Sequence, residues 1–271
     1  MNFNEDINEL FANTERFLKQ ERELYGEIIF RSESAIETPS AGSTDAFNQN
    51  TGTVEKGVMP KARRSKQDEI FQAEGCPLPP YPDELWTDSK TIDELNNKIN
   101  SCTKCSLGKT RIKFVFGVGN PKARVVVVGE APGADEDEQG EPFVGRAGQL
   151  LNKILESINF KRNEVYICNI LKCRPPNNRD PQTNEIDCCE PYLWKQLEII
   201  KPKLILCVGR IAGQSLLKTN DSLALLRSKV HDYRGIPLMV TYHPAALLRN
   251  PNWKRPCWED VQQFRKLYDE M

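Results

Sequence analysis

Four short apolar runs, separated by segments of helical periodicity, limit most strongly what this chain can fold into. The runs are short and apolar throughout, which predicts buried strands rather than helices. They cover Val125–Val128, Val165–Leu171, Leu204–Val208 and Leu238–Thr241. Helical patterns occupy Gly148–Ile158, Asn184–Ile200 and Ile211–Lys218, and a last helix is expected from about Trp258. Alternating strands and helices predict an α/β fold, a three-layer sandwich whose central four-stranded, mainly parallel sheet is flanked by helices.

Polar and glycine residues follow all four predicted strands. Ligands of such sheets bind beyond the carboxyl ends of the strands, so these loops are the place to expect a functional site. They read Gly129 to Gly133, then Asn169 with Lys172-Cys173-Arg174, then Gly209-Arg210, then Tyr242-His243-Pro244.

The charge distribution divides the chain into unlike parts. Residues 1–87 carry 9 basic and 16 acidic side chains, whereas residues 88–271 carry 28 basic and 22 acidic ones. The formal net charge of −1 therefore averages an acidic segment and a basic domain, and it does not exclude a nucleic-acid partner. We expect an amphipathic helical segment over residues 1–30, a flexible linker over residues 31–87 and a folded domain over residues 88–271.

The N-terminal segment has two open roles. Leu10, Phe11, Phe17 and Leu18 fall at helical spacing. This apolar face either packs within the protein or docks a protein partner, and the sequence does not separate the two. No secretory signal and no apolar run near the ~20 residues of a membrane span is visible, so we expect a cytoplasmic protein without membrane contact.

Nine cysteines in such a chain predict metal ligands rather than a disulfide framework. Cys102-x2-Cys105 precedes the first strand, and Cys173-x15-Cys189 brackets the loop after the second. Two such pairs supply four thiolates to one site, which suits zinc and an iron–sulfur cluster equally. Because Cys188 adjoins Cys189, spacing alone leaves the fourth ligand open.

Five further motifs occur in the order GEAPG, GEPFVGRAGQLL, NILKCRPPNNR, CEPYL and YHPAALLR. Together with the cysteine spacing, they resemble the type-4 (family 4, iron–sulfur) uracil-DNA glycosylases over about residues 88–271. The resemblance implies a [4Fe-4S] cluster on Cys102, Cys105, Cys173 and Cys189. It also implies a monomeric base-excision repair enzyme that acts on uracil in single- or double-stranded DNA and is found on the nucleoid.

The resemblance also implies roles around a uracil that has been turned out of the DNA. Phe143 stacks on the base, and the Asn169 amide accepts from uracil N3–H and donates to O4, a pattern that cytosine reverses. His243 donates to uracil O2, and Glu130 orients the attacking water or stabilises the sugar cation. The Ala131 backbone N–H lies near the base, and Glu136 crowds the C5 position, where thymine carries its methyl group.

DNA contact requires cations and a wedge. Lys172, Arg174 and Arg179 surround Cys173, and Arg249 follows the His-Pro motif. Either Leu247 or Leu248 is the candidate wedge that fills the space left by the base; the alternative is that both leucines pack inward.

Two other functions stay open at this point. One is a uracil-DNA binder of the same superfamily that reacts covalently and stays attached. Relatives of that kind carry an added basic stretch with a histidine after GRAG, and GRAGQLLNKILES has none. The other is a non-catalytic metal-binding module that recruits partners. The leading hypothesis is a hydrolase that cleaves the N-glycosidic bond of deoxyuridine without NAD or ATP.

Overall fold

A six-stranded mixed sheet forms the centre of the computed structural model, which describes residues 84–271. The strands are β1 (Val118–Gly119), β2 (Val125–Gly129), β3 (Tyr166–Asn169), β4 (Leu204–Val208), β5 (His231–Tyr233) and β6 (Ile236–Thr241). Their order across the sheet is β1-β3-β2-β4-β6-β5. The four predicted strands are the parallel ones in the middle, and both edge strands pair antiparallel to their neighbours.

Helices cover both faces of this sheet, as predicted. They are α1 (Ile92–Ile99), α2 (Ala134–Gln139), α3 (Arg146–Ser157), α4 (Thr183–Ile200), α5 (Arg210–Leu217), α6 (Leu223–Leu226), α7 (Pro244–Arg249) and α8 (Lys254–Asp269). Short 3-10 helices lie at Leu85–Asp88, Ser106–Lys109, Pro176–Asn178 and Pro251–Trp253. None of the helices in residues 84–271 is long and apolar enough to cross a membrane.

The β2 strand shows why these sequences form central strands. Successive side chains of a strand point to opposite faces. Val126 and Val128 therefore pack into one hydrophobic core and Val125 and Val127 into the other, and none of the four exposes more than 2% of its surface. A strand that is buried on both faces needs an uninterrupted apolar run rather than an alternating one.

The two edge strands were missed for different reasons. β1 has only two residues, too few to produce a pattern. β5 joins β6 through a tight turn in which Arg234 and Gly235 both have positive φ, 54° and 83°. This is the combination of a type I′ hairpin turn, but arginine is an unusual residue for its first position.

Trp86 precedes residue 88, where the folded domain is predicted to begin. Trp86 is 7% exposed, and its ring meets that of Tyr192 edge to face with centroids 5.0 Å apart. Trp86 therefore packs against the domain predicted for residues 88–271, and the predicted domain bounds stay a prediction. The predicted helical segment 1–30 and the linker up to residue 83 lie outside the described residues.

Candidate active site

A cavity of about 310 Å³ lies at the carboxyl ends of β2, β3 and β6. β2 pairs with β3 on one side and with β4 on the other, so the cavity lies where the chain changes direction across the sheet, the usual ligand position in such folds. The cavity brings together eight of the predicted residues: Glu130, Ala131, Glu136, Phe143, Asn169, Arg179, His243 and Arg249.

Asn169 contributes a buried acceptor with no partner. It ends β3 and is 2% exposed, and its Oδ1 atom has no hydrogen-bond donor within the described residues. Gly129 makes room for it, since a Cβ there would clash with Asn169 Oδ1 and lie 2.6 Å from the Phe143 ring. An orphaned buried acceptor costs about 1–3 kcal/mol. That cost is recovered when a ligand donates to the atom.

Phe143 is held in a strained conformation beside this acceptor. Its φ of 55° is in the left-handed region, which is unusual for an aromatic residue, and it is 6% exposed. The Glu136 carboxylate accepts from the backbone N–H groups of Val144 (2.9 Å), Gly145 (3.1 Å) and Gly133 (3.0 Å). Glu136 thus fixes the Phe143 loop, a role that sequence reasoning missed; its predicted effect at uracil C5 stays a prediction.

His243 has one defined tautomer. Its Nδ1 accepts from the backbone N–H of Ala245 at 3.2 Å, so the proton of the neutral ring is on Nε2. Burial, with a smaller contribution from the positive charge of Arg249, lowers the pKa of His243 to about 4, and the negative charge of Glu136 opposes the shift. The centre of the His243 ring lies 5.6 Å from the centre of the Phe143 ring. At neutral pH it is therefore an uncharged donor next to the stacking face.

Glu130 follows β2 at the opening of the cavity. Burial, with a smaller contribution from the nearby Asp180, raises the pKa of Glu130 to about 7, whereas Arg210 opposes the shift. Asp180 and Arg210 pair with each other at 3.2 Å. A carboxyl group with this pKa exchanges a proton near neutral pH, as a group that activates water must.

Comparisons with known proteins agree with this geometry. A model of the uracil DNA glycosylase superfamily matches residues 116–262, which include every residue of the cavity named above. The chain belongs to the uracil DNA glycosylase superfamily. It is 44% identical over 186 residues to a type-4 uracil-DNA glycosylase of Archaeoglobus fulgidus, covering 66% of this chain and 94% of the relative.

Further relatives place the chain with the type-4 group of the superfamily. A type-4 enzyme of Thermotoga maritima is 38% identical over 185 residues, 67% of this chain and 96% of the relative. A type-5 uracil-DNA glycosylase of Pyrobaculum aerophilum is 32% identical over 146 residues, 48% of this chain and 64% of the relative. The predicted family is confirmed.

The four cysteines predicted as cluster ligands lie together on one side of the sheet. Cys102, Cys105, Cys173 and Cys189 pack against the same hydrophobic core, and all four are free thiols. The pKa of Cys173 is raised to about 11, mainly by burial; Arg111 opposes the rise, and the neighbouring Cys105 and Cys102 contribute to it. Burial likewise raises the pKa of Cys189, and the nearby Cys173 and Cys105 contribute to that rise.

Hydrogen bonds distinguish Cys189 from its neighbour. Cys189 Sγ accepts from the Lys172 backbone N–H at 3.3 Å, and Arg111 donates to Cys173 Sγ at 3.4 Å. Cys188 Sγ instead lies 3.8 Å from the Lys104 carbonyl oxygen. Within residues 84–271 no group of three or more His, Cys, Asp or Glu side chains is arranged to hold a single metal ion.

Two predicted DNA contacts, Lys172 and Leu247, are corrected by their burial. Lys172 is fully buried, and its ammonium donates to the Asn169 carbonyl (2.8 Å) and to Gln196 (2.6 Å). It therefore holds the Asn169 backbone and is not accessible to a phosphate. Leu247 is only 2% exposed, so it packs inward. Arg179 forms two hydrogen bonds with the buried Glu185 and is half-buried in the cavity wall, so its contact with DNA stays a prediction.

Arg174, Leu248 and Arg249 stay accessible. Arg249 is exposed and ends α7, while Leu248 is half-buried on the same helix. Arg174 is half-buried and donates to Asn178 at 2.8 Å. The contact of these three residues with DNA stays a prediction.

Proposed function

We propose that this chain hydrolyses the N-glycosidic bond between uracil and deoxyribose in DNA and leaves an abasic site for base-excision repair. The observation that carries the proposal is the unpartnered Oδ1 of Asn169, buried beside Phe143 in a cavity large enough for a single base. Its membership of the uracil DNA glycosylase superfamily supports the same reaction.

Asn169 selects the base in this proposal. Its Oδ1 accepts from uracil N3–H and its amide N–H donates to O4. Cytosine has an acceptor at N3 and a donor at C4, so it leaves both protein groups unpaired. Phe143 covers the face of the base, which has to leave the DNA stack to enter the cavity.

Bond cleavage separates charge between the sugar and the base. The C1′–N1 bond breaks with its electron pair going to uracil, and the sugar becomes cationic. His243 donates its Nε2 proton as a hydrogen bond to uracil O2, which stabilises the departing anion. Because the imidazole is neutral, it stabilises charge without having to transfer its proton.

Glu130 acts on the other reactant. Its carboxylate orients a water molecule toward C1′ and accepts a proton from it as the C1′–O bond forms. The carboxylate form is required for this step, and its negative charge also stabilises the cationic sugar.

The rate of excision is expected to rise with pH through about 7 and to level off above it. The raised pKa of Glu130 sets this limb, since protonated Glu130 takes no proton from water. His243 adds no limb there because its pKa is lowered to about 4. Single-turnover rates from pH 5 to 9 measure the profile.

Two variants check the origin of this pH limb. Asp180→Asn removes a negative neighbour of Glu130 and should move the midpoint to lower pH, whereas Arg210→Gln should move it to higher pH. The same limb in Glu130→Gln would show that another group is responsible.

The four thiols Cys102, Cys105, Cys173 and Cys189 are the proposed ligands of a [4Fe-4S] cluster. Cysteine thiolates are its usual ligands, and each iron atom binds one of them, so the four sulfurs need not meet at one ion. Arg111 and the Lys172 N–H donate to two of the sulfurs, as donors around cluster ligands do. When bound, the cluster ties the loops before β2 and after β3 together; no step of the reaction passes through it.

Substituting the adjacent cysteines should separate ligand from bystander. Cys189→Ala is expected to lose bound iron and visible absorption and to unfold at a lower temperature. Cys188→Ala, its matched control, should keep all three properties. Iron and acid-labile sulfide measured after anaerobic purification check this, and equal iron contents in both variants would refute the ligand set.

Incubation with an oligonucleotide bearing one uracil tests the reaction itself. Free uracil and a strand break after alkali support the hydrolase. A stable protein–DNA adduct would instead indicate the covalent binder of the same superfamily. DNA contact is assigned to Arg174 and Arg249 for phosphate and to Leu248 for the wedge.

A further inference from the structure

A second cavity, of about 470 Å³, adjoins the uracil cavity. The two share Glu130, Asp180, His243 and Arg249 in their walls. The second cavity extends from there toward Trp253. The second cavity is therefore next to the position that a nucleotide held in the first cavity occupies.

Trp253 presents an aromatic surface in this second cavity. It is 40% exposed, and among the described residues it is the only aromatic one with a large exposed surface. Its ring stacks on Tyr242 with centroids 5.3 Å apart and planes 19° from parallel. One face of the indole is therefore covered, and the exposed surface is available for a further stacking partner.

The stack is rigidly supported from behind. The Arg227 guanidinium lies 4.3 Å from the centre of the Tyr242 ring and donates to the Tyr242 hydroxyl at 3.0 Å. Two hydrogen bonds of 2.7 and 2.9 Å join Arg227 to Asp260, which is 1% exposed. A fixed aromatic platform of this kind gives up little conformational entropy when a base stacks on it.

Charge at the cavity suits a nucleic-acid backbone. Arg210 and Arg249 are both exposed on its wall and are suited to contact phosphate. Asp180 pairs with Arg210 at 3.2 Å, and Glu130 lies in the same wall. These two carboxylates offset the charge of the two arginines, which are therefore suited to individual phosphate contacts and do not give the cavity a net positive charge.

We propose that Trp253 stacks on the base of the nucleotide next to the flipped deoxyuridine in the same strand, with Arg210 and Arg249 at the flanking phosphates. This subsite rests on the proposed uracil excision. Stacking is indifferent to base identity, so the subsite adds affinity for any neighbouring base and is most effective in single strands, where that base is already free to leave its stack.

The test removes each partner of the stack in turn. Single-stranded oligonucleotides with one deoxyuridine are compared with versions in which the 5′ or the 3′ neighbour is an abasic tetrahydrofuran residue. For wild-type protein kcat/KM is expected to fall about tenfold with one of the two abasic neighbours. For Trp253→Ala, kcat/KM on the full substrate should be about tenfold lower than for wild type, and it should not fall further when that neighbour is abasic. Trp253→Phe should keep most of the wild-type loss on removing the neighbour.

Equal losses for wild type and Trp253→Ala on removing the neighbour would overturn the subsite, as would an unchanged rate in Trp253→Ala. A uniform loss on all substrates would assign Trp253 a purely structural role and also overturn it. Tryptophan fluorescence offers a readout that needs no catalysis. A uracil-free oligonucleotide should quench wild type more than Trp253→Phe, so failure of excision and failure of the subsite remain distinguishable.

Discussion

Replacing Asn169 with leucine is expected to lower kcat/KM for uracil excision about a thousandfold while leaving the affinity for undamaged DNA nearly unchanged. Leucine has a similar size but neither accepts nor donates a hydrogen bond, so N3–H and O4 of a bound uracil lose their partners in a closed cavity. Single-turnover excision and binding to a uracil-free strand measure the two quantities.

Stability separates this role from a structural one. Asn169 Oδ1 has no donor among the described residues, so Asn169→Leu is expected to keep or raise the melting temperature. Gln196→Leu is the contrasting variant, since Gln196 accepts from buried Lys172 at 2.6 Å and donates to the Phe116 carbonyl at 3.0 Å. It should unfold at a distinctly lower temperature. Wild-type excision by Asn169→Leu, or an equal loss of stability in both variants, would contradict the assignment.

Replacing His243 with alanine is expected to lower kcat by about 10²- to 10³-fold with little change in KM for DNA. The variant loses a preorganised donor to the departing base, and such donors contribute most when charge develops in the transition state. Single-turnover excision at saturating enzyme measures the chemical step.

The other histidine of the chain provides the matched control. His231 lies in β5, outside the cavity, and its Nε2 contacts the Leu226 carbonyl at 2.8 Å. His231→Ala should therefore excise uracil at close to the wild-type rate. Similar rates in the two variants would remove His243 from the reaction.

The architecture and most of the cavity were predictable because both depend on local patterns. The apolar run at β2 allows only a strand buried on both faces. Glu130, Asn169 and His243 lie together because each follows or ends a parallel strand, and parallel strands end at one edge of the sheet. Their proximity follows from topology, whereas their chemical roles remain predictions.

What escaped prediction depends on partners distant in sequence. Lys172 has the sequence appearance of a DNA contact, but it is buried against Gln196, 24 positions further along the chain. The sequence does not distinguish Leu247 from Leu248, because only the packing of α7 shows that Leu247 is the buried one. Trp253 belongs to no motif, and its exposure depends on the stack built by Tyr242, Arg227 and Asp260.

The most direct test of the central claim uses single-stranded oligonucleotides that differ only in carrying uracil, cytosine or thymine at one position. The account predicts that the full chain releases free uracil and leaves an alkali-labile site at that position, and that the cytosine and thymine strands stay intact. Uracil strands that remain unbroken after alkali, or breakage that does not distinguish uracil from cytosine, would contradict it.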